Sequence, residues 1–166
     1  SVVDYVILSD TRLVLLTENG KMYAWNSVDP VAEYYDMTAE WLGGYTPVGF
    51  RVVGDNLFIA ANTDDAISQP VLIIKNLDNS NNPVAADPPW AIEFDARYPY
   101  QARCIEVCNE EVYVGCDDGI NHGKIYKYTA GNEYELISDT PDGLTSMWLD
   151  SAGDLYCGSS SGKIYK

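Results

Sequence analysis

The sequence has one histidine, three phenylalanines, three methionines and only ten basic residues among 166. Each shortage excludes something. Ten Lys and Arg stand against 25 Asp and Glu, a formal net charge of −15. Affinity for nucleic acid or for an anionic bilayer rests on clustered basic side chains, so neither is expected as a partner. No apolar run approaches the ~20 residues a helix needs to cross a membrane, and membrane insertion is not expected. A serine or cysteine nucleophile with a histidine base would have to use His122, in the turn "DDGINHGK". There is no nucleophile elbow and no zinc-protease helix motif. "TENG" and "SSSG" are turns rather than phosphate loops, since neither leads into a helix with the lysine–hydroxyl pair in register. No catalytic residue is assigned, and the chain is expected not to be an enzyme. It starts on Ser1 rather than Met, which suggests a processed N-terminus or a segment of a longer polypeptide.

What is present is material for a core. Hydrophobic residues make up 46% and charged residues 21%, too apolar for a disordered chain. Thirteen Tyr, thirteen Gly and short Val/Ile runs favour strands and turns over helices. The acidic excess reads first as solubility, and second as attraction for a cation or a basic partner.

The strongest signal is internal repetition, which is sought before anything else. The chain ends on "SGKIYK", and the phrase stands earlier as "HGKIYKY" and more loosely as "NGKMYAWN". Four stretches share one grammar: from Val6, from Arg51, from Cys104 and from Met147. An apolar strand is followed by a tight polar turn, a second strand, a turn that usually carries Gly, and a third strand. The second strands align as Leu13–Thr17, Leu57–Ala61, Val112–Cys116 and Leu155–Ser159. Their first residues, Leu13, Leu57, Val112 and Leu155, are spaced by 44, 55 and 43 residues. A fourth strand fits the gaps at Val31–Met37, Trp90–Ala96 and Glu133–Asp139, each mixing acidic and aromatic residues. The Pro/Asn-rich "LDNSNNPVAADPP" lengthens the second step.

Four-stranded units repeating every 40–50 residues or so predict an all-β fold, a β-propeller-type array of about four blades. A β-sandwich also needs many short strands, but its hairpins need not repeat; a solenoid has shorter repeats. The blades are expected near residues 3–37, 48–96, 102–139 and 143–166 of a single domain, 1–166. In the fourth position of the second strands stand Leu16, Ala60, Gly115 and Gly158, and small residues there let neighbouring sheets come close.

The last repeat, "DGLTSMWLDSAGDLYCGSSSGKIYK", resembles the propeller repeat of two-component-regulator sensor domains. Gly143, Leu144, Asp150, Gly153, Leu155, Tyr156, Gly158, Gly162 and Tyr165 fill that pattern, with Ser159 for its usual Thr and Ile164 for its usual Leu. "ENGKMYAWN" is similar to the quinoprotein-type repeat. The resemblance covers about 25 residues, implies a propeller, and leaves function open because propellers host unrelated activities. The fourth repeat lacks a fourth strand. The array is then a small ring with one short blade, a segment of a larger propeller, or an assembly subunit completed by a second chain, since an open edge is an aggregation hazard.

Candidate site residues are few. Asp64 and Asp65, with Asp117 and Asp118, lie in turns of the second and third repeats. They are the best candidates for calcium, the only cofactor considered, although calcium wants about six to eight oxygens and plain turn chemistry explains the acids. Trp41, Tyr45, Tyr98 and Tyr100 lie in connections between repeats. Loop aromatics of this kind contact protein or glycan, or simply pack between blades. Cys104, Cys108, Cys116 and Cys157 match no zinc spacing. Cys157 aligns with Leu15, Ile59 and Val114 and reads as core. Cys104 and Cys116 flank one hairpin turn, as free buried thiols or, in an oxidising compartment, as a cross-strand disulfide. The expectation is a non-catalytic binding or structural module in protein or glycan interaction, in an extracellular, cell-surface or virion assembly, with a protein partner or self-assembly. A glycan-active enzyme using acidic loop residues and a sensor input domain are the alternatives.

Overall fold

The computed structural model describes the chain except residues 10–11, 27–32, 37–42, 67, 79–89, 95–99 and 132, and except the side chains of residues 24, 26 and 33–36. The described residues contain strands and turns and no helix. The first sheet runs β1 (Val2–Ser9), β2 (Arg12–Thr17), β3 (Lys21–Asn26), β4 (Glu33–Asp36). The second runs β5 (Tyr45–Val53), β6 (Asn56–Thr63), β7 (Pro70–Asn76), β8 (Trp90–Glu93). The third runs β9 (Gln101–Cys108), β10 (Glu111–Asp117), β11 (Gly123–Thr129), β12 (Glu133–Thr140). The fourth has three strands, β13 (Leu144–Leu149), β14 (Leu155–Ser159) and β15 (Ile164–Tyr165). Each is an antiparallel meander in which chain order is also spatial order. The outer strands of the first three sheets fall where the repeat predicts them; the Pro/Asn-rich insertion lies mostly outside the described residues.

Turn chemistry follows residue type. Asn109 and Glu110, at φ 52° and 66°, form the two-residue turn between β9 and β10. Both central residues are left-handed, the hairpin geometry whose twist matches the strands. Asn tolerates that conformation and Glu does not gain from it.

Register places equivalent residues opposite one another. In one row stand Tyr5–Leu15–Tyr23, Phe50–Ile59–Ile73, Ile105–Val114–Tyr126 and Met147–Cys157–Tyr165. In the adjoining row stand Asp4–Leu16–Met22, Gly49–Ala60–Leu72, Cys104–Gly115–Ile125 and Ser146–Gly158–Ile164. Successive side chains of a strand point to opposite faces, so the first row marks a leading face of each sheet and the second row a trailing face.

The three cores are the three places where a trailing face meets the next leading face. Val14, Leu16 and Met22 pack on Phe50, Leu57, Ile59 and Ile73. Phe58, Ala60, Leu72 and Ile74 pack on Ile105, Val112, Val114 and Tyr126. Ile125 with the partly buried Cys104 packs on Leu144, Met147 and Cys157. The first strand of each sheet packs on that of the next, β1 on β5, β5 on β9 and β9 on β13; β13 makes no comparable contact with β1. The four sheets form an arc.

Small trailing-face residues do what the repeat implies. A Cβ on Gly49 would stand 3.0 Å from Ile105 Cγ2, and one on Gly115 would stand 3.5 Å from Met147 Cε. Cys157 is 3% exposed, a core residue as aligned. The cross-strand disulfide does not form. The two-residue turn sets Cys104 opposite Gly115, so the next residue, Cys116, points to the other face, where a register shift pairs it with Ala102. Cys104 therefore joins the third core and Cys116 the second, on opposite faces of one sheet, and all four cysteines are free.

Candidate interaction surfaces

The acidic turns are consumed by their own backbone. Asp118 Oδ1 accepts from the N–H groups of Ile120, Asn121 and His122 at 2.9, 2.9 and 3.0 Å. Its Oδ2 lies 2.9 Å from His122 Nδ1. Those bonds, the His122 N–H first, hold its carboxyl far below the usual range. Asp117 accepts from the Gly119 N–H at 2.9 Å and pairs with Arg103 at 3.1 Å. Asp65 Oδ1 accepts from Thr63 Oγ1 and the Ser68 N–H, both at 2.9 Å, and Asp64 Oδ1 from Thr46 Oγ1 at 2.5 Å. The two acid pairs share a turn but not a position. Because Leu57 and Val112 are equivalent, Asp117 corresponds to Asn62, and Asp64 to Gly119. Asn62 is a clamp between sheets: its Nδ2 donates to the Ala102 carbonyl at 3.1 Å and its Oδ1 accepts the Ala102 N–H at 2.7 Å. Among the described residues no three His, Cys, Asp or Glu gather where they could hold a metal ion.

The candidate aromatics divide. Tyr45 is half-buried against the first core, and Tyr100 against the second with Lys124 Nζ 5.2 Å from its ring centroid. The two lie in different seams and form no common patch. Trp41 and Tyr98 fall outside the described residues. His122 is 64% exposed and pairs with Asp118 within its own turn. Burial pushes the Cys104 thiol up to about 12 and the Cys116 thiol well above its ordinary value, so neither offers a thiolate.

The unmarked residues matter more. Arg51 ties three sheets. It is bidentate to Glu106 of β9, at 3.0 and 3.1 Å, and its Nη1 reaches Asp4 Oδ2 of β1 at 2.7 Å. A lone Arg in the apolar run "GFRVVG" was the available signal. A second cluster holds β15. Asp142 Oδ2 accepts from Lys163 Nζ at 2.8 Å and from the Tyr165 hydroxyl. Lys163 first, then Tyr165 and Ser161, lower the Asp142 carboxyl to about 2.

Among the described residues, the fourth sheet has no strand beyond β15 to match β12 of the third. A cavity of about 350 Å³ opens there, lined by Tyr113, Ile125, Ile137, Leu155, Cys157 and Tyr165 among others. Among the described residues, the two end sheets also keep one face each without a neighbouring sheet. On the first sheet that is the leading face, with Tyr5, Ile7 and Trp25 at 61, 68 and 40% exposed and Leu13, Leu15 and Tyr23 half-buried beside them. On the fourth it is the trailing face, where Trp148 and Tyr156 stack at 5.6 Å and Ile164 is 66% exposed.

Four equivalent meanders, packed leading face to trailing face around their first strands, decide the architecture. The fold is a β-propeller. Its first and last blades do not meet within this chain. No family model and no curated protein sequence matches it. Solved propellers do. The WD40 β-propeller domain of Doa1 superposes with a TM-score of 0.60 at 16% identity, over 99% of this chain and 49% of that one. The β-propeller domain of Cps50 (Swd1) from Myceliophteria thermophila gives 0.57 at 13%, over 96% and 49%. The computationally designed Ika4 protein gives 0.56 at 10%, over 99% and 89%. The chain thus spans about half the length of these two natural propellers, and the likeness is one of fold.

Proposed function

We propose that this propeller is a non-catalytic interaction module that works through protein contact at its open blade ends. The observation that carries the reading is the leading face of the first blade. Tyr5, Ile7 and Trp25, at 61, 68 and 40% exposed, form an apolar patch with the half-buried Leu13 and Leu15, on the face that the later blades turn towards a neighbour. Scattered exposed apolar residues are ordinary, whereas a contiguous patch of this kind marks an interaction site. Groups able to do chemistry are engaged elsewhere: the turn acids by backbone N–H groups, threonine hydroxyls and Arg103, His122 by Asp118, and the Cys104 and Cys116 thiols by burial.

The test is a panel of glycosides, lactones and peptides assayed for turnover, beside a glycan array. The expected result is no turnover on any of them. Turnover abolished by Asp118→Asn or Asp142→Asn overturns the reading in favour of an enzyme. Glycan binding without turnover would keep the module and change its partner class from protein to sugar.

A further inference from the structure

We propose that Asn19 is a self-modification site, where the backbone nitrogen of Gly20 closes on the Asn19 side-chain amide and converts it, through a cyclic imide and then water, to a carboxylate. The chemistry belongs to the chain itself and is independent of what the propeller binds.

Asn is among the chemically labile residues, and Asn19–Gly20 is the one Asn–Gly step in the sequence. It lies in the tight turn between β2 and β3, where the Gly20 N–H donates to the Thr17 carbonyl at 2.9 Å. Gly20 has φ 72°, a left-handed conformation that strains a side chain. The turn therefore calls for the one residue that leaves its amide nitrogen unshielded by a Cβ. Asn19 is exposed, so water reaches its side chain. Thr17 Oγ1 donates to Asn19 Oδ1 at 2.6 Å, closer than to its other acceptor, the Lys21 carbonyl at 2.9 Å. That bond draws electron density from the amide carbon and steadies negative charge on Oδ1 as the ring forms. One bond opposes the reaction. The attacking nitrogen must lose its proton, and the Thr17 carbonyl holds that N–H, so conversion is gated by opening of the turn.

The steps balance without an oxidant. Gly20 N gives its proton to solvent and bonds to Asn19 Cγ. The Cγ–Nδ2 bond breaks, and Nδ2 takes a proton from water and leaves as ammonia. Water then opens the ring at one of its two carbonyl carbons. Attack at Cγ leaves aspartate in an ordinary backbone. Attack at the main-chain carbonyl carbon leaves the chain running through Cβ and Cγ, an iso-aspartate that lengthens the turn by one carbon. Either product adds negative charge beside Glu18, whose carboxylate holds the Ser1 amino group at 3.0 Å.

The fold guards the two Asp–Gly steps, Asp118–Gly119 and Asp142–Gly143, against the same closure. There the ring forms from a protonated carboxyl, since an ionised one is a poor electrophile. Asp118 is kept ionised by three backbone N–H groups, that of His122 first, and Asp142 by Lys163 and then Tyr165. Asn19 is neutral at any pH and has no such guard.

The experiment holds the intact chain for weeks in mildly alkaline buffer made with heavy-oxygen water, then maps its peptides by mass spectrometry. Asn19 should convert ahead of every other asparagine and ahead of isomerisation at Asp118 or Asp142. Each converted chain should carry one heavy oxygen, and aspartate and iso-aspartate should both appear at position 19. Full denaturant frees the Gly20 N–H and should speed the conversion about tenfold. Asn19→Gln, whose ring needs one more atom, should stop the change at position 19 and melt like wild type, because the side chain is exposed. Prior conversion at another residue overturns the proposal. So does aspartate without iso-aspartate, which would mean direct hydrolysis of the side chain. Equal rates in folded and unfolded chains overturn the gating by the turn.

Discussion

The second and fourth blades differ in a way that shows how a sheet's surroundings are written into its strands. In the second, β6 and β7 are buried over Leu57–Asn62 and Pro70–Lys75, and both faces of "LFIAA" and "VLII" are apolar. In the fourth, β13 buries Leu144 and Met147 and exposes Thr145, Ser146, Trp148 and Leu149. A strand covered on both faces reads as a continuous apolar run, and one wetted on one face admits polar residues there. The first blade breaks the correspondence. Its leading face is as apolar as that of a covered blade, yet Tyr5, Ile7 and Trp25 on it are exposed. The contrast locates the interaction surface: the fourth blade has partly adapted to solvent, and the first has not.

The comparison can be broken most directly along one row. Ile59→Ala, in the second blade, removes a side chain that is 0% exposed, and should cost about 3–4 kcal/mol by denaturant unfolding. Leu15→Ala, at the equivalent position of the first blade, should cost only about 1 kcal/mol in a monomeric background, because water already reaches that face. Equal costs would mean that the leading face of the first blade is not open. Next in size is Arg51→Ala. It strands the Asp4 and Glu106 carboxylates, whose side chains are 23 and 18% exposed, and should lower stability by about 2–3 kcal/mol. A double change that also makes Asp4→Asn and Glu106→Gln should recover part of that loss.

A smaller effect of opposite sign is expected at the hairpin turn of the third blade. Glu110→Gly relieves a left-handed glutamate and should raise stability by about 1 kcal/mol. The smallest effect is local and pH-dependent. Asp142 has a folded carboxyl near 2, below its ordinary 3.8. A depressed acid stabilises the fold above its unfolded value and loses that contribution as pH falls through the folded one. Amide protection across β14 and β15 should therefore hold from neutral pH to about 4 and decline towards 2. Protection in β6 should not follow it, and Asp142→Asn should abolish the dependence.

Much of the fold was legible because the repeat states it four times. The spacing of Leu13, Leu57, Val112 and Leu155 fixed which strands correspond, and from that followed the burial of Cys157 and the close approach at Gly115. What escaped depends on single-residue offsets that a pattern does not carry. Cys116 stands one residue further from the turn than Cys104, and that single offset puts the two on opposite faces. A two-position offset gives Asp117 the place of Asn62 and separates the acid pairs that looked equivalent. The interaction surface escaped for a different reason. Tyr5, Ile7 and Trp25 have the composition of core residues, and only coordinates reveal that they stand exposed. Of the four aromatics singled out in the connections, the two that are described are packing residues, since a ring in a short loop between blades is pulled into the seam.

The grip of Asn62 on both peptide groups of Ala102 has a mechanical consequence. Together with Arg51 and Glu106 it pins the second blade to the third by bonds whose directions are fixed, so the angle between those blades has little freedom. The third and fourth are tied more softly, by a thiol of Cys108 donating to the Gly153 carbonyl at 3.2 Å and by apolar contact that can slide. The second and third blades are then the pair held by directional bonds, and the third and fourth the pair held mainly by apolar packing.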